Sequence, residues 1–194
     1  YWLVDPLDGT RGFYKGAPDF TVNIALIYHH TPILGGIYAP ALEEGFMGYA
    51  PLDPSTPRGA YRWRDGEPDD IEIGVRPIPM AGVTLLTSSH SWQNVFTSQM
   101  MALVKLNRHI KRGSSIKYCD IASARADLAV VAHDLCYWDT AAGDAILRGA
   151  GGHMLDLAGV PLKYDRAQTP IFRQGLVACS GLDYFSAVIS EAAA

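Results

Sequence analysis

Val4-Asp5-Pro6-Leu7-Asp8-Gly9-Thr10, entered from Tyr1-Trp2-Leu3, sets two carboxylates three residues apart where an apolar run stops. Trp2, Leu3 and Val4 are bulky and apolar and read as the end of a core strand. Pro6 cannot donate to a sheet ladder and Gly9 accepts backbone angles that other residues avoid, so the strand breaks here. Asp5 and Asp8 are then held close together at the rim of a core, where their repulsion needs a cation. Hard oxygen donors of this kind suit Mg2+, with waters or a phosphate completing its shell. Gly9 and Thr10 follow with backbone N–H groups, and the Thr10 hydroxyl is able to hold a water. Asp-Pro and Asp-Gly pairs are also common turn formers, and taken alone the stretch is more often a turn than a site.

A second stretch changes that balance. In Tyr137-Trp138-Asp139-Thr140-Ala141-Ala142-Gly143-Asp144-Ala145, Asp139 directly precedes a small-residue helical run that continues through Ile146, Leu147 and Ala150 to Gly151-Gly152. As a helix cap Asp139 needs no further explanation. A cap can still offer its outer oxygen to a metal, and the helix N-terminus behind it can face an anion.

Together the two stretches resemble the magnesium-dependent, lithium-sensitive phosphatases of the inositol monophosphatase superfamily, with signatures D-P-[LI]-D-G-[TS] and W-D-x-A-[AG]-[AG]. Phe20 to Ile27 followed by Pro32 to Pro40 is similar to the hairpin after the first motif, and Gly113 to Cys119 to the segment before the last helix-strand unit. Within the superfamily the chain looks most like the 3'(2'),5'-bisphosphate nucleotidases. Thr140 follows their W-D-T-A-A-G, Thr87-Ser88-Ser89-His90 their S-x-S-H, and Gly113-Ser114-Ser115-Ile116-Lys117 their G-S-S-x-K. Phe13 matches the aromatic of D-G-T-[KR]-E-F, with Gly12 in place of the Glu. Around Ala132 stands neither the nucleotidases' Tyr-Pro-Arg-like segment nor the substrate-binding Glu of inositol monophosphatases.

The resemblance implies an α/β fold of α+β layered type, the αβαβα sandwich shared with fructose-1,6-bisphosphatase. It also implies a helical layer ahead of Tyr1 that carries a further metal-binding Glu. Asp5, Asp8, Asp139 and the Leu7 carbonyl would hold two or three Mg2+ ions, and Thr10 would orient the attacking water. The N–H groups of Gly9, Thr10, Ala141 and Ala142 would receive the phosphate. His90, Gly113, Ser114 and Lys117 would contact a nucleoside or its second phosphate. The plainer readings are a surface turn for His90 and a solvated side chain for Lys117. The implied reaction removes the 3'-phosphate of 3'-phosphoadenosine 5'-phosphate. The alternatives are a phosphatase for inositol phosphate, histidinol phosphate or another sugar phosphate, and an inactive metal-binding regulatory subunit. A homodimer is the superfamily's habit.

Bulk properties agree with this class. At 194 residues and 48% hydrophobic composition the chain can bury one large core or two modest ones. A net charge of -4 offers no basic surface for polymeric nucleic acid, and no apolar run is long enough to span a bilayer. Cys119, Cys136 and Cys179 are odd in number without a C-x-x-C pair, and read as reduced thiols of a cytoplasmic protein. His29-His30, beside Thr31-Pro32, reads as a hairpin turn.

Pro77 and Pro79 mark a junction, giving a metal-binding α+β half over 1–76 and an α/β half over 77–194. Strands are expected at 45–49, 60–63, 83–87, 129–131, 153–155 and 176–178. Helices are expected from a Ser91 cap through Val95, Met100, Leu103 and Val104, from about Tyr118 to Arg125, and from Thr140. Tyr184, Phe185, Val188 and Ile189 recur at helical spacing as a core-facing stripe.

Overall fold

A computed structural model of the chain describes residues 1–53, 55–88 and 93–193. Six antiparallel strands run in sequence order across a first sheet: β1 (Trp2–Asp8), β2 (Thr21–Tyr28), β3 (Thr31–Ala39), β4 (Glu44–Tyr49), β5 (Gly59–Arg64) and β6 (Ile71–Glu72). The β2–β3 turn is His29-His30, both at positive φ (45° and 60°). That twist lets a two-residue hairpin follow the strands.

On β2 the alternation is plain: Thr21, Asn23, Ala25 and Ile27 are buried, while Ile24 and Tyr28 face outward. The buried side meets α4 (Ala141–Gly149), which lies against α3 (Ile116–Ala122). Beneath these helices lies a mixed sheet in the order β11-β13-β9-β7-β8, built from β7 (Val83–Thr87), β8 (Leu106–Lys111), β9 (Leu128–Val131), β11 (His153–Leu155) and β13 (Leu176–Cys179). Here β7 runs parallel to both β8 and β9. Its neighbours Leu85 and Leu86 point to opposite sides, Leu86 into the core under α3 and α4, Leu85 into a second core. That second core is closed by α2 (Val95–Leu103) and α5 (Leu182–Ala192) through Phe96, Met100, Phe185 and Ile189. A short pair, β10 (Leu135–Cys136) with β12 (Ile171–Phe172), completes the strands. The described layers are therefore sheet, helices, sheet, helices, an α+β layered fold. Among the described residues no helix is long and apolar enough to cross a membrane.

Several expectations need correction. Trp2 and Val4 are 58% and 53% exposed, because β1 is an edge strand and both residues lie on the open side of the first sheet, beside Ile24. A run that is apolar at every position does not say which of its faces is covered. Ser91 lies outside the described residues, and α2 is capped by Asn94, whose side chain accepts from Phe96 N at 2.9 Å. Val95 points out at 73% exposure, and Val104 follows the helix as its cap. The helix expected over 118–125 is α3, shifted toward the N-terminus; the chain leaves it at Ser123 and turns at Ala124, at φ 61°. In α5, Phe185 and Ile189 are buried but Tyr184 is not.

Candidate metal centre

Residues three apart on a regular strand face opposite sides. β1 breaks that rule: Asp5 pairs with Asn23 and Asp8 with Thr21, so the stretch carries one residue more than its partner. The bulge turns Asp8 to the same inner side as Asp5. Pro6 costs no pairing there, at the edge of the sheet. Gly9 then takes φ 84°, an angle that favours glycine, and a Cβ on it would stand tightly at 3.2 Å from the Ser114 Cβ.

Asp139 arrives from the other half of the chain. It ends a 3-10 turn (Tyr137–Asp139), and its Oδ2 accepts from Cys136 N at 2.8 Å. α4 starts immediately behind it and lies close against the first sheet: a Cβ on Gly35 would come 2.3 Å from the Ala142 carbonyl oxygen. This packing delivers Asp139, Ala141 and Ala142 to the end of β1. One carboxylate oxygen from each of Asp5, Asp8 and Asp139 then lies within 4.8 Å of the others.

Asp8 is the most tightly held of the acids. Its Oδ2 accepts from Ser115 N at 2.7 Å and Ser114 Oγ at 2.8 Å. The Ser115 hydroxyl stands 2.7 Å from both Asp8 Oδ2 and the Asp139 carbonyl, and can give its single proton to one of them. Asn23 Nδ2 donates to Ser115 Oγ at 2.9 Å, while Thr21 Oγ1 contacts Ser114 Oγ. Asp5 Oδ1 accepts from Leu7 N at 3.0 Å, and the Leu7 carbonyl accepts from Thr10 Oγ1 at 3.0 Å. Burial raises the Asp5 carboxyl above its ordinary range, and Asp8 adds to this. Burial, then the charges of Asp8 and Asp5, push Asp139 up to about 6, against the opposing Cys136 N–H and Lys117. Buried acids that also face one another are stabilised by a cation between them.

The expected residues thus divide. The carboxylates of Asp5, Asp8 and Asp139 come together, with Leu7, Gly9 and Thr10 beside Asp8 along the chain and Ala141 and Ala142 at the start of α4 behind Asp139. Ser114 also reaches the cluster, as a donor to Asp8, while Gly113 N donates to Asp19 Oδ2. Lys117 is not a solvated side chain: it is 5% exposed, its Nζ donates to the Ser114 carbonyl, and Asp8 and Asp139 are among the charges around it. His90 lies outside the described residues. Sequence reasoning missed Ser115, Thr21 and Asn23. The signal for the last two was present, since Thr21 and Asn23 are polar at the positions of β2 whose alternation points inward.

A family model described as inositol monophosphatase family matches residues 1–187. The chain is 36% identical over 167 residues to the 3'(2'),5'-bisphosphate nucleotidase CysQ of Escherichia coli (strain K12), covering 84% of this chain and 62% of that protein. It therefore spans less than two thirds of the length of such curated relatives. Among solved structures, an inositol monophosphatase from Zymomonas mobilis matches with TM-score 0.77 at 26% identity, over 98% of this chain and 69% of that one. CysQ from Bacteroides thetaiotaomicron, a bacterial member of the inositol monophosphatase family, matches with TM-score 0.75 at 29% identity, over 92% and 69%. With the two aspartate motifs converging as they do and the family model spanning nearly every residue, this chain belongs to the inositol monophosphatase family.

Proposed function

We propose that the protein is a Mg2+-dependent phosphomonoesterase that removes the 3'-phosphate of 3'-phosphoadenosine 5'-phosphate. The observation that carries this reading is the convergence of the Asp5, Asp8 and Asp139 carboxylates within 4.8 Å, in a chain 36% identical to a 3'(2'),5'-bisphosphate nucleotidase. The donor set suits the ion. Every ligand is a hard oxygen, and the hydrogen bonds to Asp8 fall on Oδ2, leaving Oδ1 as the oxygen to offer. Asp5, Asp8, Asp139 and the Leu7 carbonyl are the ligands in this reading. Two or three Mg2+ ions would neutralise phosphate oxygens there and lower the pKa of a water.

The rest of the chemistry falls to the chain. Thr10 spends its hydroxyl proton on the Leu7 carbonyl, so its oxygen is left to accept from a water. A water held this way presents a lone pair to phosphorus. Its oxygen bonds to phosphorus as the bond to the 3'-oxygen breaks, one of the water's two protons ends on the departing 3'-oxygen, and the other stays on the released phosphate. The N–H groups of Gly9, Thr10, Ala141 and Ala142 meet the phosphate, those of α4 with the helix N-terminus behind them. Lys117 supports the reading as a buried ammonium beside Asp8 and Asp139, available to a phosphate oxygen, and Gly113 and Ser114 form the turn it bonds. His90 joins this set on resemblance alone.

Phosphate release from 3'-phosphoadenosine 5'-phosphate and from inositol 1-phosphate, each with Mg2+ and with a chelator, tests the proposal. The nucleotide should be hydrolysed faster, and only with the metal. Faster release from inositol 1-phosphate would move the protein to the other substrate class, while metal-independent release would overturn the assignment of the acids.

A further inference from the structure

Asp19 lies just ahead of β2, and with Thr21 and Asn23 it occupies every second position of the chain as the strand begins. Each of these side chains meets one residue of the turn that precedes α3. Asp19 Oδ2 accepts from Gly113 N, Thr21 Oγ1 contacts Ser114 Oγ, and Asn23 Nδ2 donates to Ser115 Oγ at 2.9 Å. Ser114 and Ser115 in turn bond Asp8, the first through Oγ at 2.8 Å, the second through its N–H and hydroxyl at 2.7 Å. Asp19 shares no hydrogen bond with the three acids; among the described residues its one partner is the Gly113 N–H.

That bond falls where the turn needs holding. Ser114 stands at φ 49°, a left-handed backbone that a serine seldom adopts, and such a conformation persists only where its surroundings impose it. The Ser114 carbonyl is held from one side by Lys117 Nζ. From the other side the backbone is held through Gly113 by Asp19. Gly113 is fitted to this contact: a Cβ on it would stand 2.7 Å from Asp19 Oδ2, in the space the carboxylate fills. Asp19 is also among the charges that favour the ammonium form of the buried Lys117. Once the Gly113 N–H is released, Ser114 can relax toward commoner angles. That movement would carry Ser114 Oγ and Ser115 N away from Asp8 Oδ2.

We propose that Asp19 is a positioning residue for the metal centre, acting through the Gly113-Ser114-Ser115 turn to aim the Asp8 carboxylate at Mg2+. The proposal rests on the metal reading of Asp5, Asp8 and Asp139 and extends it to a residue outside their hydrogen bonds. The turn asks Asp19 for an oxygen acceptor in the right place, and an asparagine oxygen supplies one.

Calorimetric titration of Mg2+ into the intact protein, with melting curves to establish that each variant is folded, tests this. Asp19→Ala should weaken Mg2+ binding about tenfold or more, the scale of an outer partner of a metal ligand. Phosphate release should then need correspondingly more Mg2+. Asp19→Asn should bind the ion as the parent does. Gly113→Ala keeps the carboxylate but displaces it, and should show the same loss as Asp19→Ala. A purely structural role would lower the melting temperature and leave the Mg2+ affinity of the folded protein alone. Unchanged affinity in either folded alanine variant therefore overturns the proposal, and so does failure of both to fold. An equal loss in Asp19→Asn overturns it too, since charge and not the acceptor would then be the cause. A parent protein that binds no Mg2+ overturns the metal reading itself, a result distinct from a parent and an Asp19→Ala variant that bind the ion equally well.

Discussion

Two sets of acids lie in the interior, and the chain answers them differently. Glu44, 2% exposed, is met by Arg62, Arg64 and Arg125. Burial pushes its carboxyl up, but Arg125 and Arg62 outweigh burial and bring it down to about 2. Asp127, fully buried, is gripped by Arg76 through contacts of 2.7 and 3.0 Å and accepts from Thr84 N at 2.7 Å. Asp5, Asp8 and Asp139 instead face one another and Lys117, and Asp139 is driven up rather than down. Where an acid serves the fold, the sequence supplies its cation; where a cation is to come from outside, the sequence leaves the place open.

The sharpest way to break this comparison is Asp8→Asn. An asparagine oxygen can still accept from Ser114 and Ser115, so the turn holds, while one of the proposed metal ligands is lost. Turnover should fall on the order of a thousandfold, the several kcal/mol that a bound metal supplies. The metal-free melting temperature should hold or rise, since Asp5 and Asp139 lose a repelling neighbour. A soluble variant with near-normal phosphate release would remove the distinction between the two sets.

Arg125→Met tests the other set. Glu44 keeps Arg62 and Arg64, so the cost should be about 2 kcal/mol rather than the full penalty of an orphaned charge. In a chain of this size that is a drop of about 4–8 °C. The sign with pH follows from the lowered Glu44 carboxyl: its pairing stabilises above about pH 4.5 and fades as pH falls toward 2. The deficit should therefore be full at neutral pH and shrink in acid. Mg2+ affinity, measured by calorimetry, should not change; a variant that melts normally but binds Mg2+ poorly would show the two sets to be one.

How much of this was legible follows from where the signal sits. Asp5, Asp8 and Asp139 were readable because turn residues and a helix start mark them locally, in Pro6, Gly9 and the small residues of α4. The buried strand β7 was readable because each of its residues is buried or apolar and turns bound it. The bulge that brings Asp8 to the side of Asp5 was not readable, since it depends on a pairing with β2 that no local pattern states. β8 escaped for a related reason: Leu-Asn-Arg-His-Ile-Lys is an exposed edge strand with no buried alternation to betray it. Lys117 looks like any surface lysine in the chain; only the fold of α3 against the acids turns it inward. Glu44 and Asp127 were silent as well, because their arginines are distant in sequence and a salt bridge across elements has no periodicity.

Ser115→Ala sharpens the comparison at its smaller end. The variant keeps the Ser115 N–H on Asp8 but removes the hydroxyl shared between Asp8 Oδ2 and the Asp139 carbonyl. Outer partners of metal ligands are commonly worth about 10–100-fold in affinity. Mg2+ binding should weaken within that range while the fold is retained. An unchanged Mg2+ affinity would mean that the Asp8 carboxylate is oriented by its backbone contacts and by Ser114 alone.

Asp144 belongs to neither set, which makes it the finest probe of the rule. It has an arginine near, as Glu44 does, but burial wins and its carboxyl stands at about 7. An acid raised above its unfolded value binds a proton more readily in the folded state. Its contribution is therefore complete at low pH and is lost as pH rises through 7. Between pH 6 and 8 that loss should be about 1 kcal/mol, or a few degrees of melting temperature in the absence of ligand. Asparagine carries no such proton, so Asp144→Asn should flatten the slope over that interval. Besides burial, the Arg148 charge and a hydrogen bond from Tyr164 act on this carboxyl, and both oppose the rise. Burial lowers the His153 imidazole below its ordinary value, so the diagnostic is the difference between variant and parent rather than the parent slope itself. Equal slopes in the two proteins would mean that Asp144 is ionised throughout, with Arg148 as its full partner, and would return it to the company of Glu44.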